Sequence, residues 1–293
     1  MAQLDEKLIE GFVRVFLAPR FDAIKSIPEF HRILWRKFCS DSTRVVAAAP
    51  RGSAKTTAMT FSAVLCSALF RDRDFILLVS KTEGQVARFL SNIKAELLAN
   101  DELKTQFKVK RFIKDTETEI IVEMEDGHQF CIIVKGSEQE VRGLQWNGKR
   151  PNLIIIDDAE GAEQVMNPQR REKFRHWLFN DLLPCGSEYC KVRMVGTVLH
   201  MDSALERLLK DPLWDSERFA AHNEDFSELL WPEKLSKEKL IEIRQSYINQ
   251  GNPDGYSQES PVGSAYAWDD HTIGEVINNQ VTWNGAILGA NLI

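Results

Sequence analysis

Ala49-Pro50-Arg51-Gly52-Ser53-Ala54-Lys55-Thr56-Thr57 lies between a short apolar run, Val45 to Ala49, and a helix-like segment, Ala58 to Phe70. Strand, tight loop, Lys-Thr and helix is the layout of a phosphate-binding loop. Against the pattern G-x-x-x-x-G-K-[ST], alanine stands at both glycine positions, Ala49 and Ala54, while Gly52 lies inside the loop. Backbone N–H groups across 52–56 can still converge on an anion, helped by the positive end of the following helix. The nucleotide-binding candidates are therefore Pro50, Arg51, Gly52, Ser53, Ala54, Lys55, Thr56 and Thr57. Lys55 would reach the β- and γ-phosphates of ATP, and the Thr56 hydroxyl would ligate Mg²⁺. Taken alone, the stretch is equally an ordinary loop that contains Lys-Thr.

A second stretch shifts that balance. Leu153-Ile154-Ile155-Ile156-Asp157-Asp158-Ala159-Glu160 has four apolar residues in a row, then acids. An unbroken apolar run fits a strand buried on both faces, as in a parallel sheet. Acids at its carboxyl end sit where α/β sheets bind ligands. Asp157 is the candidate for the Mg²⁺ shell, and Asp158 or Glu160 for orienting the attacking water. The bland alternative is a core strand that ends in a solvated acidic turn. The two stretches in this order, about a hundred residues apart, favour a nucleotide-hydrolysing core.

The 293 residues are 43% hydrophobic, enough for one large domain with at most a small appendage. No apolar stretch approaches the ~20 residues of a membrane span. Met-Ala-Gln-Leu-Asp-Glu-Lys lacks a basic-then-apolar export signal, so a cytosolic protein is expected. The five cysteines have no paired metal-ligand spacing. A net charge of −6 carries no global nucleic-acid signature, although a local basic surface would suffice for one. Two basic runs qualify: Lys104, Lys108, Lys110, Arg111 and Lys114, and Arg170, Arg171, Lys173 and Arg175. Each reads equally well as a solvated face.

Strand-like and helix-like segments alternate. Phe75 to Ser80 is a second buried strand, and 85–99 an amphipathic helix. Glu119 to Met124 and Gln129 to Val134 flank an Asp126-Gly127 turn, a hairpin signal. Residues 168–183 and 235–250 read as helices, and Lys191 to Thr197 as a strand. Arg218 to His222 is a candidate for one more. The expected fold is an α/β P-loop domain with a mainly parallel sheet flanked by helices, followed by a short C-terminal helical linker. Its expected divisions are an N-terminal helical segment at 1–40, the core at 41–225, a linker at 226–259 and an irregular tail at 260–293. Arg51 is a candidate for touching the γ-phosphate, or an exposed loop arginine. Arg142, before Gly143, is a candidate arginine finger, or a surface arginine paired with Glu138 or Glu140. Gly196-Thr197 at a strand end suits a polar sensor of the γ-phosphate, or a threonine bonding its own backbone. His200 and Asp202 are read as turn residues.

At this point the chain resembles the large terminase subunit of tailed bacteriophages. The resemblance rests on Ala49 to Thr57, Ser80-Lys81-Thr82-Glu83-Gly84-Gln85, Val141-Arg142-Gly143-Leu144, Leu153 to Glu160 and Val195-Gly196-Thr197-Val198-Leu199-His200. Trp231-Pro232-Glu233 and Tyr256-Ser257-Gln258-Glu259 extend it, so that it covers roughly 25–259. It implies a RecA-like fold of the ASCE type and an Mg²⁺-dependent ATPase that drives double-stranded DNA into a capsid. The implied partners are a portal protein, a small terminase subunit and further copies in a ring. The implied place is the cytoplasm of the infected bacterial host, transiently on the procapsid. By the same resemblance, Arg51 acts in cis, Arg142 in trans, and Gly196-Thr197 belongs to a coupling motif. Many relatives carry Glu directly after the strand-end Asp, where this chain has Asp158; Glu160 is the first choice for the water-activating base and Asp158 the second. Only about thirty-four residues follow Glu259, too few for the family's nuclease domain, so nuclease activity is not expected from this chain alone. The rival readings are a helicase-like nucleic-acid remodelling ATPase, for which a second lobe has no room, and an inactive nucleotide-binding assembly protein.

Overall fold

Eight strands form one sheet in the order β3-β4-β5-β2-β6-β7-β1-β8 in the computed structural model. The structure describes residues 4–21 and 26–251, together with three strands between 275 and 290. Tyr256 to Glu259 and Asp269-Asp270-His271 lie outside the described residues. The chain runs α1 (Glu6–Phe12), α2 (Glu29–Cys39), β1 (Arg44–Ala48), α3 (Val64–Leu69), β2 (Phe75–Ser80), α4 (Glu83–Ala99), α5 (Asp101–Phe107) and β3 (Val109–Asp115). It continues with β4 (Glu119–Met124), β5 (Gln129–Gly136), β6 (Leu153–Asp157), α6 (Ala162–Met166), α7 (Pro168–Trp177), β7 (Lys191–Gly196), α8 (Ala204–Leu209), β8 (Asp215–Arg218) and α9 (Lys237–Asn249). Within 260–293, expected to be irregular, the described residues are three short antiparallel strands, β9 (Glu275–Ile277), β10 (Gln280–Trp283) and β11 (Ala286–Ala290).

Strands β5, β2, β6, β7, β1 and β8 are mutually parallel; β4 and β3 turn back antiparallel at one edge. Every residue of β2 and β6 is buried, because helices cover both faces. Alternation decides which helix each residue meets. Ile76, Leu78, Leu153 and Ile155 share a core with α2, α3 and α4 residues such as Leu34, Leu65 and Leu90. Leu77, Ile154 and Ile156 face the other way, toward Phe174, Leu178 and Leu205. β7 stands between the phosphate-loop strand β1 and the acidic strand β6, so the ends of all three meet at one crevice.

The hairpin across Asp126-Gly127 forms as expected, with Gly127 at φ +85°. Two boundaries differ from the sequence reading. The last core strand is Asp215–Arg218, ending at the residue where the candidate strand Arg218 to His222 begins; Phe219 adds one bond, donating to the Ala48 carbonyl at 2.9 Å. β3 occupies what reads in sequence as a basic run; only Val109 and Phe112 are partly buried, and the strand pairs with β4 through two irregularities of register. No described helix is long and apolar enough to cross a membrane.

Candidate active site

The loop after β1 keeps the shape that glycines would have given it. Gly52 and Ala54 both take left-handed backbone, at φ +75° and +58°. For alanine that conformation costs roughly 1–2 kcal/mol, so the surroundings must hold it. Helix α2 does so from the side. The buried His31 Nε2 meets the Ser53 carbonyl at 2.9 Å, and the Trp35 indole N–H donates to the Ala58 carbonyl at 3.0 Å. Burial pushes the His31 pKa down to about 4, against the bond to Ser53, and nearby Lys234 lowers it further. The ring is therefore neutral at pH 7 and donates through Nε2. Beyond the loop the chain coils in wide turns over Thr57–Ala63 before tightening into α3. Wide turns of this kind recur at functional sites.

Lys55 is 6% exposed, and its ammonium lies across the crevice. It donates to Thr197 Oγ1 at 2.9 Å and pairs with Asp158 Oδ2 at 3.1 Å. Thr197 in turn donates to the Ala49 carbonyl at 3.3 Å, and its N–H to Asp158 Oδ1 at 2.9 Å. Asp158 itself sits in left-handed backbone, φ +44°, which Asp tolerates better than most residues. Gly196 makes room for this arrangement: a Cβ there would lie 3.0 Å from Leu205 Cδ2 and 3.4 Å from Asp158 Oδ1.

Asp157 is fully buried. Its Oδ2 accepts from Thr60 Oγ1 at 2.6 Å, while its Oδ1 has no protein partner. Burial raises its pKa, as does the neighbouring Asp158 carboxylate; the Thr60 and Thr56 hydroxyls and the Lys55 charge pull the other way. Hydroxyl and carboxylate oxygens with one buried oxygen still unsatisfied suit a hard divalent cation. Among the described residues, no cluster of three or more His, Cys, Asp or Glu could hold a metal by itself.

Glu160, the first choice for the water-activating base, stands against the start of α8. Its two oxygens accept from the Ala204 and Leu205 N–H groups at 2.9 and 3.0 Å, at the start of α8. Burial raises its pKa and those two bonds oppose the rise. Arg142 pairs with Asp181 on the exposed surface and not with Glu138 or Glu140; Glu138 pairs with Lys173. Arg51 is exposed in the loop. Asp202 gathers Arg171, Arg175 and Arg207, which fits the turn role given to it above. The sequence reading passed over Thr60, His31 and Trp35, all three of which look like ordinary members of apolar helices. A cavity of about 680 Å³ opens beside the loop, lined by Phe21, Pro28, Thr57, Phe61, Phe89 and Trp231 among others.

Comparison with solved structures gives this geometry a setting. The large terminase ATPase domain of Thermus phage P74-26 superposes with a TM-score of 0.58 at 15% identity, covering 89% of this chain and 98% of that one. The chain has the fold of a phage large terminase ATPase domain. The large terminase of the thermophilic bacteriophage D6E matches with a TM-score of 0.52 at 14% identity, over 80% of this chain and 53% of that one. The same D6E protein solved in complex with ADP gives 0.50 at 15% identity. This chain therefore spans about half the length of the D6E protein. No protein-family model matches the sequence, and a search of curated proteins finds no match.

Proposed function

We propose that this chain is the Mg²⁺-dependent ATPase motor domain of a phage terminase large subunit. The observation that carries the reading is the meeting of Lys55, Thr197, Asp158, Asp157 and Thr60 at the carboxyl ends of β1, β6 and β7. A phosphate chain in the loop would take the N–H groups of residues 52–56 and the Lys55 ammonium, drawing Lys55 away from Asp158. The ribose and base have space in the adjoining cavity, of ordinary size for such a ligand. Thr56 and Asp157 would hold Mg²⁺, which neutralises charge developing on the transferred phosphoryl group. Asp158 then orients the attacking water. It is preferred to Glu160 because it lies against Lys55 and Thr197, whereas both Glu160 oxygens already serve α8. Thr197 senses the γ-phosphate, and Arg51 and Arg142 supply positive charge, Arg142 from a neighbouring subunit.

Double-stranded DNA, a portal protein, a small terminase subunit and a ring of copies are the partners this reading proposes, in the host cytoplasm. ATP turnover with and without DNA tests it. Lys55→Ala is expected to lower turnover by about 10³-fold, in the range of a lost transition-state cation. Undiminished hydrolysis in that variant would remove the loop from the chemistry.

A further inference from the structure

Two buried oxygens beside the crevice have no protein partner: Asp157 Oδ1 and Ser80 Oγ. They belong to adjacent strands. β2 and β6 are parallel, and Ser80 is the registered partner of Asp157. Side chains two residues apart share a face. Ile76, Leu78 and Ser80 therefore follow one another on the face that also carries Leu153, Ile155 and Asp157. Thr60 reaches Asp157 on that face from the helical segment after the loop. Ser80 and Asp157 are each 0% exposed, and Thr60 is 1% exposed. A hydroxyl with no partner in such a place costs about 1–3 kcal/mol. An apolar residue would avoid that cost, and every other residue of β2 is apolar.

We propose that Ser80 is a positioning residue for the divalent cation at Asp157. Its hydroxyl holds a metal-bound water against Asp157 Oδ1, so that both orphaned oxygens are satisfied when the cation binds. The proposal rests on the reading of Thr56 and Asp157 as the Mg²⁺ site, and adds to it a residue on β2, three strands away from the phosphate-loop strand β1.

The test uses the whole chain with ADP and Mn²⁺, followed by electron paramagnetic resonance, and with ADP in EDTA. Ser80→Ala is expected to weaken Mn²⁺ binding in the ADP complex about 10-fold, the scale of lost outer-shell partners. ADP affinity in EDTA should not change, and Ser80→Thr, which keeps the hydroxyl, should restore most of the Mn²⁺ affinity. Thermal melting of the metal-free protein separates a structural role: Ser80→Ala should melt no lower than the parent chain. A metal-free melting point lowered by Ser80→Ala, with Mn²⁺ affinity intact, would make Ser80 a structural residue and overturn the proposal. If the parent chain itself binds ADP no better with Mn²⁺ than in EDTA, the metal-site reading fails first and takes this proposal with it.

Discussion

The crevice at the ends of β1, β2, β6 and β7 and the hairpin edge formed by β3 and β4 obey opposite rules. At the hairpin edge, left-handed backbone does routine work: Lys108 ends α5 and Gly127 turns the hairpin. Four of its basic side chains have carboxylates to meet. Lys110 and Arg111 share Glu123, Lys114 pairs with Glu119, and Lys104 with Asp101. At the crevice, Ala54 and Asp158 hold left-handed backbone without ending a helix or closing a hairpin. Two buried oxygens there wait without partners. Strain and unmet hydrogen bonds are expected where a fold is organised around something it must bind. By that standard the crevice, where left-handed backbone and two unmet buried oxygens coincide, is organised around a ligand; the hairpin leaves one buried atom unmet, His128 Nε2 beside the turn, and pairs its charges with one another.

The contrast breaks most sharply at the two acids beyond β6. Asp158→Asn keeps the size of the side chain but removes its charge. It should leave nucleotide binding in place and lower turnover by about 10²- to 10⁴-fold. Glu160→Gln turns an amide N–H toward one of the two backbone donors of α8, so its main expected effect is a loss of about 1–3 kcal/mol of stability. Steady-state turnover and urea unfolding of both variants decide the matter. Inactivity of Glu160→Gln at full stability, with Asp158→Asn near normal, would exchange the two roles.

His31 offers a smaller effect, read by pH. Its pKa in the fold is about 4 against an ordinary 6.5, because the burial that brings it to Ser53 disfavours the charged ring. The unfolded chain therefore binds a proton at higher pH than the folded one. Stability should rise with pH from about 4 to about 6.5 and level off above that. The contribution of this one group is about 3 kcal/mol across the window. His31→Gln keeps an N–H donor but cannot titrate. Chemical unfolding of the two proteins at several pH values should show that part of the slope vanish in the variant. An unchanged slope would assign the pH dependence to other groups.

Much of this was readable from sequence, for physical reasons that differ by residue. Lys55-Thr56 after an apolar strand, and Asp157 at the end of another, are read by where they fall in a strand–loop–helix pattern. Losing both glycines did not hide them, because the backbone requirement passes to Ala54 and to the neighbours that brace it. Thr197 was readable as a strand-end polar residue. Thr60 and Ser80 were not, because a lone hydroxyl in an apolar run is the usual appearance of core. Only the register of β2 on β6 reveals what Ser80 faces. For Glu160 the sequence distance from the strand end does not tell which way a carboxylate turns; its two oxygens meet the N–H groups at the start of α8. β3 was hidden by its own exposure, since an edge strand with one partner needs few apolar residues.

The smallest expected effect lies at the hairpin edge, and it concerns DNA. The run from Lys104 to Lys114 has the density of a phosphate-binding stripe, yet Glu119 and Glu123 already stand against Lys114, Lys110 and Arg111. Cations engaged this way would have to give up one anion to gain another, and they release few counterions on binding. The double variant Arg111→Ala, Lys114→Ala is therefore expected to bind double-stranded DNA with nearly unchanged affinity. The informative quantity is the slope of log affinity against log salt, which falls by about one for each phosphate contact removed. An unchanged slope in the double variant keeps the hairpin edge as a solvated surface. A slope smaller by about two would make this edge part of the DNA path. The division between a ligand-organised crevice and a self-satisfied edge would then hold only for the molecule without DNA.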